Sequence, residues 1–395
     1  MATGYAAAAT SPIRLSGHPD SSLRCRRWPS LACPGASGPE SPAEGRGWPS
    51  PLPAAGGRPR RHSGPARGLQ LRRGHPDRRH PARRRPGRDP GRARRHGRLR
   101  RRTRPVHHGY VFEVRADGHA DPRPIRCLGR YAHEALAIDA DRTKIYLSED
   151  ADGPNGLFYR WTAPRRVKLG PGVLTRLAPD AGVLAAMQII MDDGSVLPDV
   201  AYLTSAQLGR PFPVRWIEVP ERDAQTTTVR EQFADDEVTR GRKFEGVWGT
   251  DQGVYVVNSY AWEDGDLPAD AAPHDGMVWF YDYRAETIQL VTYFPHQTTS
   301  EEGTPAKYSD LTFDGPDNVT VTPWGSLVLA EDGSGASHVL SAIPGGPTYA
   351  IARNQLNDSE FCGPTFTDDG KILFVNMQDP GLTLAITGPW EKYLS

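Results

Sequence analysis

From Gly109 onward the chain alternates short apolar runs with Gly, Pro and Asp punctuation. Runs of this length, separated by turn residues at fairly even spacing, predict short β-strands. They fall at residues 110–114, 135–138, 144–147, 156–161, 215–219, 244–248, 254–258, 277–283 and 287–294. Further runs follow at 318–321, 327–330, 339–342, 349–352, 365–366, 372–376 and 384–387. Residues 183–191 are apolar enough for either a buried helix or a strand, and 230–233 reads as helical within a polar insertion. Turn chemistry joins neighbouring runs into hairpins, as in Asp139 to Asp141, Thr322-Pro323-Trp324-Gly325 and Asp368-Asp369-Gly370. Many short strands and almost no helix predict an all-β barrel, sandwich or propeller. The recurrence of a hairpin followed by an outer hairpin favours the β-propeller.

The polar positions add chemistry to this pattern. Acids recur where predicted strands begin or end: Glu134 and Glu149, Glu245, Asp317 with Asn318, Glu331 before Asp332, and Glu360. Each by itself also fits a turn or a solvated strand end. Glu245 differs, because it lies between large apolar neighbours in Phe244-Glu245-Gly246-Val247-Trp248 and needs a partner there. In a propeller the innermost strands face a central channel, so one acid per blade would form a ring. An all-oxygen ring of Glu134, Glu149, Glu245, Asp317, Asn318, Glu331 and Glu360 suits a hard cation such as calcium. His133 stands beside the ring, and a lone histidine there fits a structural role as well as a functional one.

Charge divides the chain. Residues 1–107 hold 25 Arg, no Lys and five acids, a net of +20, whereas 108–395 hold 23 basic and 42 acidic residues, a net of −19. The first segment is rich in Arg, Pro and Gly without apolar periodicity, which predicts disorder. Translation in a wrong frame, a linker or tail, and a nucleic-acid arm are the readings it leaves open. The missing Lys and interleaved aromatics make nucleic acid the weakest of them. No run of 18 apolar residues predicts a membrane span, and no export signal is evident at the N-terminus. Cys25, Cys33, Cys127 and Cys362 form neither a CxxC pair nor a disulfide framework, and Cys362 reads as a small core residue.

Several motifs are long enough to carry a resemblance. They are HEA-x-A-x-D at 133–139, FEG at 244–246, DGPDN-x-TV-x-PWG at 314–325 and LAEDG at 329–333. The longest is ARN…SEFCGPTF…DGK-x-LFVN-x-Q-x-PG…AITGPW at 352–390. Over residues 108–395 the chain resembles the PhoX-type alkaline phosphatases. The resemblance implies a six-bladed propeller, secretion to the periplasm or beyond, and hydrolysis of small phosphate esters with calcium and iron in the channel. It implies metal ligation by Glu134, Glu149, Glu245, Asp317, Asn318, Glu331 and Glu360, with Glu245 and Glu360 as the firmest catalytic positions. It also implies an upstream segment that supplies a cysteine thiolate to iron and a carboxylate, of which residues 1–107 hold no counterpart. The expectation is therefore a monomeric propeller incomplete at its N-terminal side, with iron and activity in question. A non-catalytic calcium-binding or partner-binding propeller is the alternative.

Overall fold

The computed structural model describes residues 108–115, 121–261, 267–296, 313–333 and 335–394. The expectation for residues 1–107 lies outside the described residues. The described chain is all-β, with a single short helix, α1 (Trp390–Leu394), among the described residues.

Four antiparallel meanders organise it. The first runs β1 (His133–Ile138), β2 (Lys144–Glu149), β3 (Gly156–Thr162) and β4 (Val183–Ile189). After β5 (Pro211–Glu218) and the short β6 (Arg240–Gly241), the second runs β7 (Phe244–Gly249), β8 (Gly253–Asn258), β9 (His274–Asp282) and β10 (Thr287–Pro295). The third is β11 (Pro316–Val321), β12 (Leu327–Glu331), β13 (His338–Ala342) and β14 (Thr348–Arg353). The fourth is β15 (Phe361–Phe366), β16 (Ile372–Met377) and β17 (Leu382–Thr387). β5 pairs with both β4 and β10, so it joins the outer edges of the first two meanders. Their first strands, β1 and β7, also lie against each other, which nearly closes this sheet into a barrel. β7 in turn packs on β11, and β11 on β15. The first strand of every meander thus faces the first strand of the next, the arrangement of propeller blades around a channel.

The third meander is gripped on both faces. On β12, Leu327 and Leu329 enter a core shared with Val257, Val278 and Phe294 of the second meander. Val328 and Ala330 enter another shared with Phe361, Leu373 and Val375 of the fourth. A strand buried on both sides needs no polar face, which is why 327–330 reads as an unbroken apolar run. The same logic resolves residues 183–191: they form the strand β4, with five of its seven residues buried.

Several predicted bounds shift. Residues 110–114 form no strand; Val111 makes one isolated bridge to Ile125, while Phe112 and Val114 are exposed. β15 begins at Phe361, ahead of the expected 365, and passes through Pro364. β1, β2, β11 and β12 each extend to include Glu134, Glu149, Asp317 and Glu331, which the hydrophobic pattern alone leaves at the strand ends. Residues 229–232 form a 3-10 turn where a helix is expected.

Candidate metal centre

The four inner strands share one irregularity. Pairing slips between His133 and Leu136 on β1, between Phe244 and Val247 on β7, between Pro316 and Asn318 on β11, and between Cys362 and Thr365 on β15. A β-bulge re-aims the side chain beside it and is common next to active sites. Here each bulge adjoins an acid: Glu134, Glu245 and Asp317 are the second residues of their strands, and Glu360 immediately precedes β15.

These acids meet. Carboxylate oxygens of Glu134, Glu245 and Asp317 lie within 4.8 Å of one another, as do those of Asp317, Asp332 and Glu360. Asp317 belongs to both sets and is the hub. It is half-buried as a residue, yet its carboxyl group is enclosed. Asn318 orients it, donating from Nδ2 to Asp317 Oδ1 at 2.9 Å. Asn318 Oδ1 accepts from the Gly363 amide at 2.6 Å, which ties β11 to β15. Gly246 allows the close approach of β7 to β11: a Cβ there would stand 2.7 Å from the Asp317 carbonyl oxygen and 2.8 Å from Asn318 Cα. The glycine beside Glu245 thus makes room for a neighbouring strand.

A lysine enters the cluster. Lys243 Nζ lies 2.9 Å from Glu245 Oε1 and 3.6 Å from Asp150 Oδ1. Its backbone takes the left-handed conformation, φ 52°, uncommon for a residue with a side chain. Its amide donates to the Ala151 carbonyl at 3.0 Å and its carbonyl accepts from Ser259 at 3.1 Å, so the conformation is held from both sides. Lys243 is the partner that an acid inside apolar β7 requires.

One ammonium does not balance five carboxylates. Burial, then the charge of Asp150, pushes the Glu134 carboxyl up to about 7, against the pull of Lys243. Burial, then Asp332, pushes Glu360 up to about 7, while a hydrogen bond with Asp317 draws it down. Glu245 and Asp317 are raised as well, foremost by burial, and Asp317 next by the charge of Glu245. Carboxylates gathered this closely hold protons until a cation replaces them. The donor set is all oxygen, which fits a hard divalent cation such as calcium. The described residues bring no thiolate into the set: burial, then Glu360, pushes the Cys362 thiol up to about 11.

Two expected ligands are engaged elsewhere. Glu149 is fully buried and accepts from Tyr159 Oη at 2.6 Å and from Arg230 at 3.2 Å. Glu331 is fully buried and accepts from the His338 amide at 2.7 Å, His338 Nδ1 at 2.8 Å and the Asp314 amide at 3.1 Å. These two occupy the same place in their meanders, the last residue of the second strand, paired across the bulge with His133 and Pro316. The residue that follows each turns the other way: Asp332 joins the cluster and Asp150 meets Lys243. His133 packs its ring on Tyr131 with centroids 3.7 Å apart, and burial lowers it to about 4, so it is a neutral structural residue.

A sequence profile of the family described as alkaline phosphatase PhoX matches residues 63–381. The match begins well upstream of Gly109 and takes in part of the Arg-rich segment. Pseudomonas fluorescens PhoX in complex with vanadate, a transition state analogue, is similar in structure, with TM-score 0.48 and 22% identity. That similarity covers 71% of this chain and 57% of that one, so the chain spans little over half of the PhoX structure. The holo PQQ domain of pyranose dehydrogenase from Coprinopsis cinerea is similar with TM-score 0.26 and 9% identity, over 71% of this chain and 88% of that chain. No curated protein matches the chain. No helix among the described residues is long and apolar enough to cross a membrane.

Proposed function

Because the chain belongs to the alkaline phosphatase PhoX family, we propose that it is a metal-dependent phosphatase that hydrolyses small phosphate esters at the acid cluster between its inner strands. The observation that supports this reading is the convergence of Glu134, Glu245, Asp317, Asp332 and Glu360 from four separate meanders, with the carboxyls of Glu134, Glu245, Asp317 and Glu360 raised in pKa and Lys243 set against them. A bound divalent cation there would supply charge neutralisation and activate a water. Calcium suits the oxygen donors; iron has less support, since no thiolate is among them.

The residues themselves do the rest. Asp317, the hub, and Glu245 and Glu360, which flank it, hold the cationic centre. Asn318 fixes the rotamer of Asp317 and docks β15 through Gly363. Lys243, held by its backbone bonds, offers an ammonium to a phosphoryl oxygen. In hydrolysis a water oxygen bonds to phosphorus, the ester P–O bond breaks, and the alcohol leaves with a proton. A carboxyl of the cluster left unbound by the cation, such as Glu134, is placed to carry that proton. Secretion to the periplasm or beyond is the compartment we propose by family.

The test is direct. Purified full-length chain is assayed with a chromogenic phosphate monoester, with calcium and after chelation, and its metal content is measured. Calcium-dependent turnover is expected. Bound calcium without turnover would leave a calcium-binding propeller and sink the enzyme reading.

A further inference from the structure

The loop leaving β2 lines a second concavity. A cavity of about 420 Å³ opens between residues 152–155, segments 198–202 and 267–269, Asp235 and Arg240. That volume lies toward the low end for ligand sites, roughly 300–1,000 Å³. Its floor is fixed. Asp199 is buried and accepts from the Ala201 amide and from Asn155 Nδ2, each at 2.9 Å. Arg240, also buried, pairs with Asp235 at 3.2 Å and donates to the carbonyls of Asn155, Arg230 and Phe233.

The wall charges are matched in place. Asp235 faces Arg240, Asp152 faces Arg242 at 4.0 Å, and Asp199 holds its two N–H donors. An anionic ligand would meet three carboxylates and one guanidinium that is already engaged. A neutral ligand meets carboxylate and carbonyl acceptors at little electrostatic cost. Pro154, Pro198 and Pro268 add flat C–H surface between them. Acceptors interleaved with such surfaces suit a molecule that carries hydroxyls on a carbon skeleton.

The cavity is linked to the acid cluster through the chain. Asp152 follows Asp150 by two residues, so their Cα atoms are at most about 7 Å apart. Asp150 contacts Lys243, and Arg242, the partner of Asp152, precedes Lys243 in the chain. The loop 150–152 and the dipeptide Arg242-Lys243 thus each have one residue at the cluster and one at or beside the cavity wall.

We propose that this cavity binds the neutral, polyhydroxylated alcohol portion of a phosphate ester whose phosphoryl group lies at the acid cluster. The ester rests on the phosphatase reading; the polyol site rests on the cavity alone. Two measurements keep these apart. Glucitol itself, without phosphate, is titrated into the calcium-loaded full chain by saturation-transfer NMR. In parallel, kcat/KM is compared for glucitol 6-phosphate and ethyl phosphate. Ala269→Trp fills the exposed rim without removing a floor hydrogen bond, and Asn155→Leu removes a polar wall. Glucitol is expected to bind the unmodified chain and to weaken about tenfold or more in both variants. The preference for glucitol 6-phosphate over ethyl phosphate should be about tenfold, and should vanish in Ala269→Trp while ethyl phosphate turnover persists. Absence of glucitol binding, or binding undiminished in Ala269→Trp, overturns the proposal. Glucitol binding lost in Ala269→Trp, with no ester hydrolysed by any form, keeps the polyol site and removes the phosphatase reading.

Discussion

Glu331 and Asp317 stand at the inner ends of neighbouring strands, β12 and β11, and both carboxyl groups are withdrawn from water. Glu331 is surrounded by donors: the amides of His338 and Asp314 and the ring of His338. Asp317 is surrounded chiefly by other carboxylates, with the Asn318 amide donating to it. A buried acid whose lone pairs are met by the protein is complete and holds the fold. One placed among other acids is incomplete without a cation. Glu149, with Tyr159 and Arg230, belongs to the first kind; Glu134, Glu245 and Glu360 belong to the second. Burial alone does not separate them, but their partners do.

The largest effect should come from the hub. Asp317→Asn keeps the shape and removes one charge from both sets, so bound calcium and phosphate-ester hydrolysis should fall by more than about 100-fold, beyond the cost of losing an outer partner. Metal analysis and turnover measure this. Full metal content and activity in that variant would erase the distinction drawn above.

Glu331→Ala should act oppositely. It strands two amides and an imidazole in the interior, at a cost of about 2–4 kcal/mol. Denaturant unfolding should show that loss, while the calcium bound per folded molecule stays unchanged. Loss of calcium without loss of stability would place Glu331 among the ligands.

A smaller effect follows from pH. Glu134 and Glu360 titrate at about 7 in the folded chain against an ordinary 4.5. Between these values the folded state holds protons that the unfolded chain has released. Their stabilising contribution to the metal-free protein is therefore present below about 4.5 and is lost as pH rises through about 7. The metal-free melting temperature should fall over that window, and saturating calcium should flatten the fall, because the ion binds the deprotonated ring. A metal-free melting temperature that climbs through the window would count against the clustered acids.

The strand pattern made much of this visible in advance. Hairpins at 244–258 and 372–387 follow from alternation and turn residues, and the acids at the strand starts are legible because they recur there, Glu245 inside an apolar run. Asp332 was displaced by Glu331 for a physical reason. Side chains alternate along a strand, so an error of one residue in the strand end sends the neighbouring carboxylate to the other face. β12 runs one residue beyond its apolar segment, and that residue is Glu331. Asp150 and Glu149 repeat the relation. Lys243 left no local signal, because its role depends on a left-handed turn and on Asp150, far away in sequence. The open choice at 183–191 needed the pairing of β4 with β3 and β5 to settle it.

The four bulges have a geometric consequence. Glu134, Glu245 and Asp317 are mounted on the first strands of their meanders and Glu360 just ahead of one, and neighbouring meanders share apolar cores, with Leu329 and Val278 in one and Val328 and Val375 in another. The distance between any two carboxylates is then a matter of how two sheets lean together, as the blades of an iris fix its aperture. A methyl group added or removed in one of those seams, well away from the acids, would widen or narrow the aperture. The ionic radius that such a ring would accept would thereby be written partly into the oily interior between the sheets.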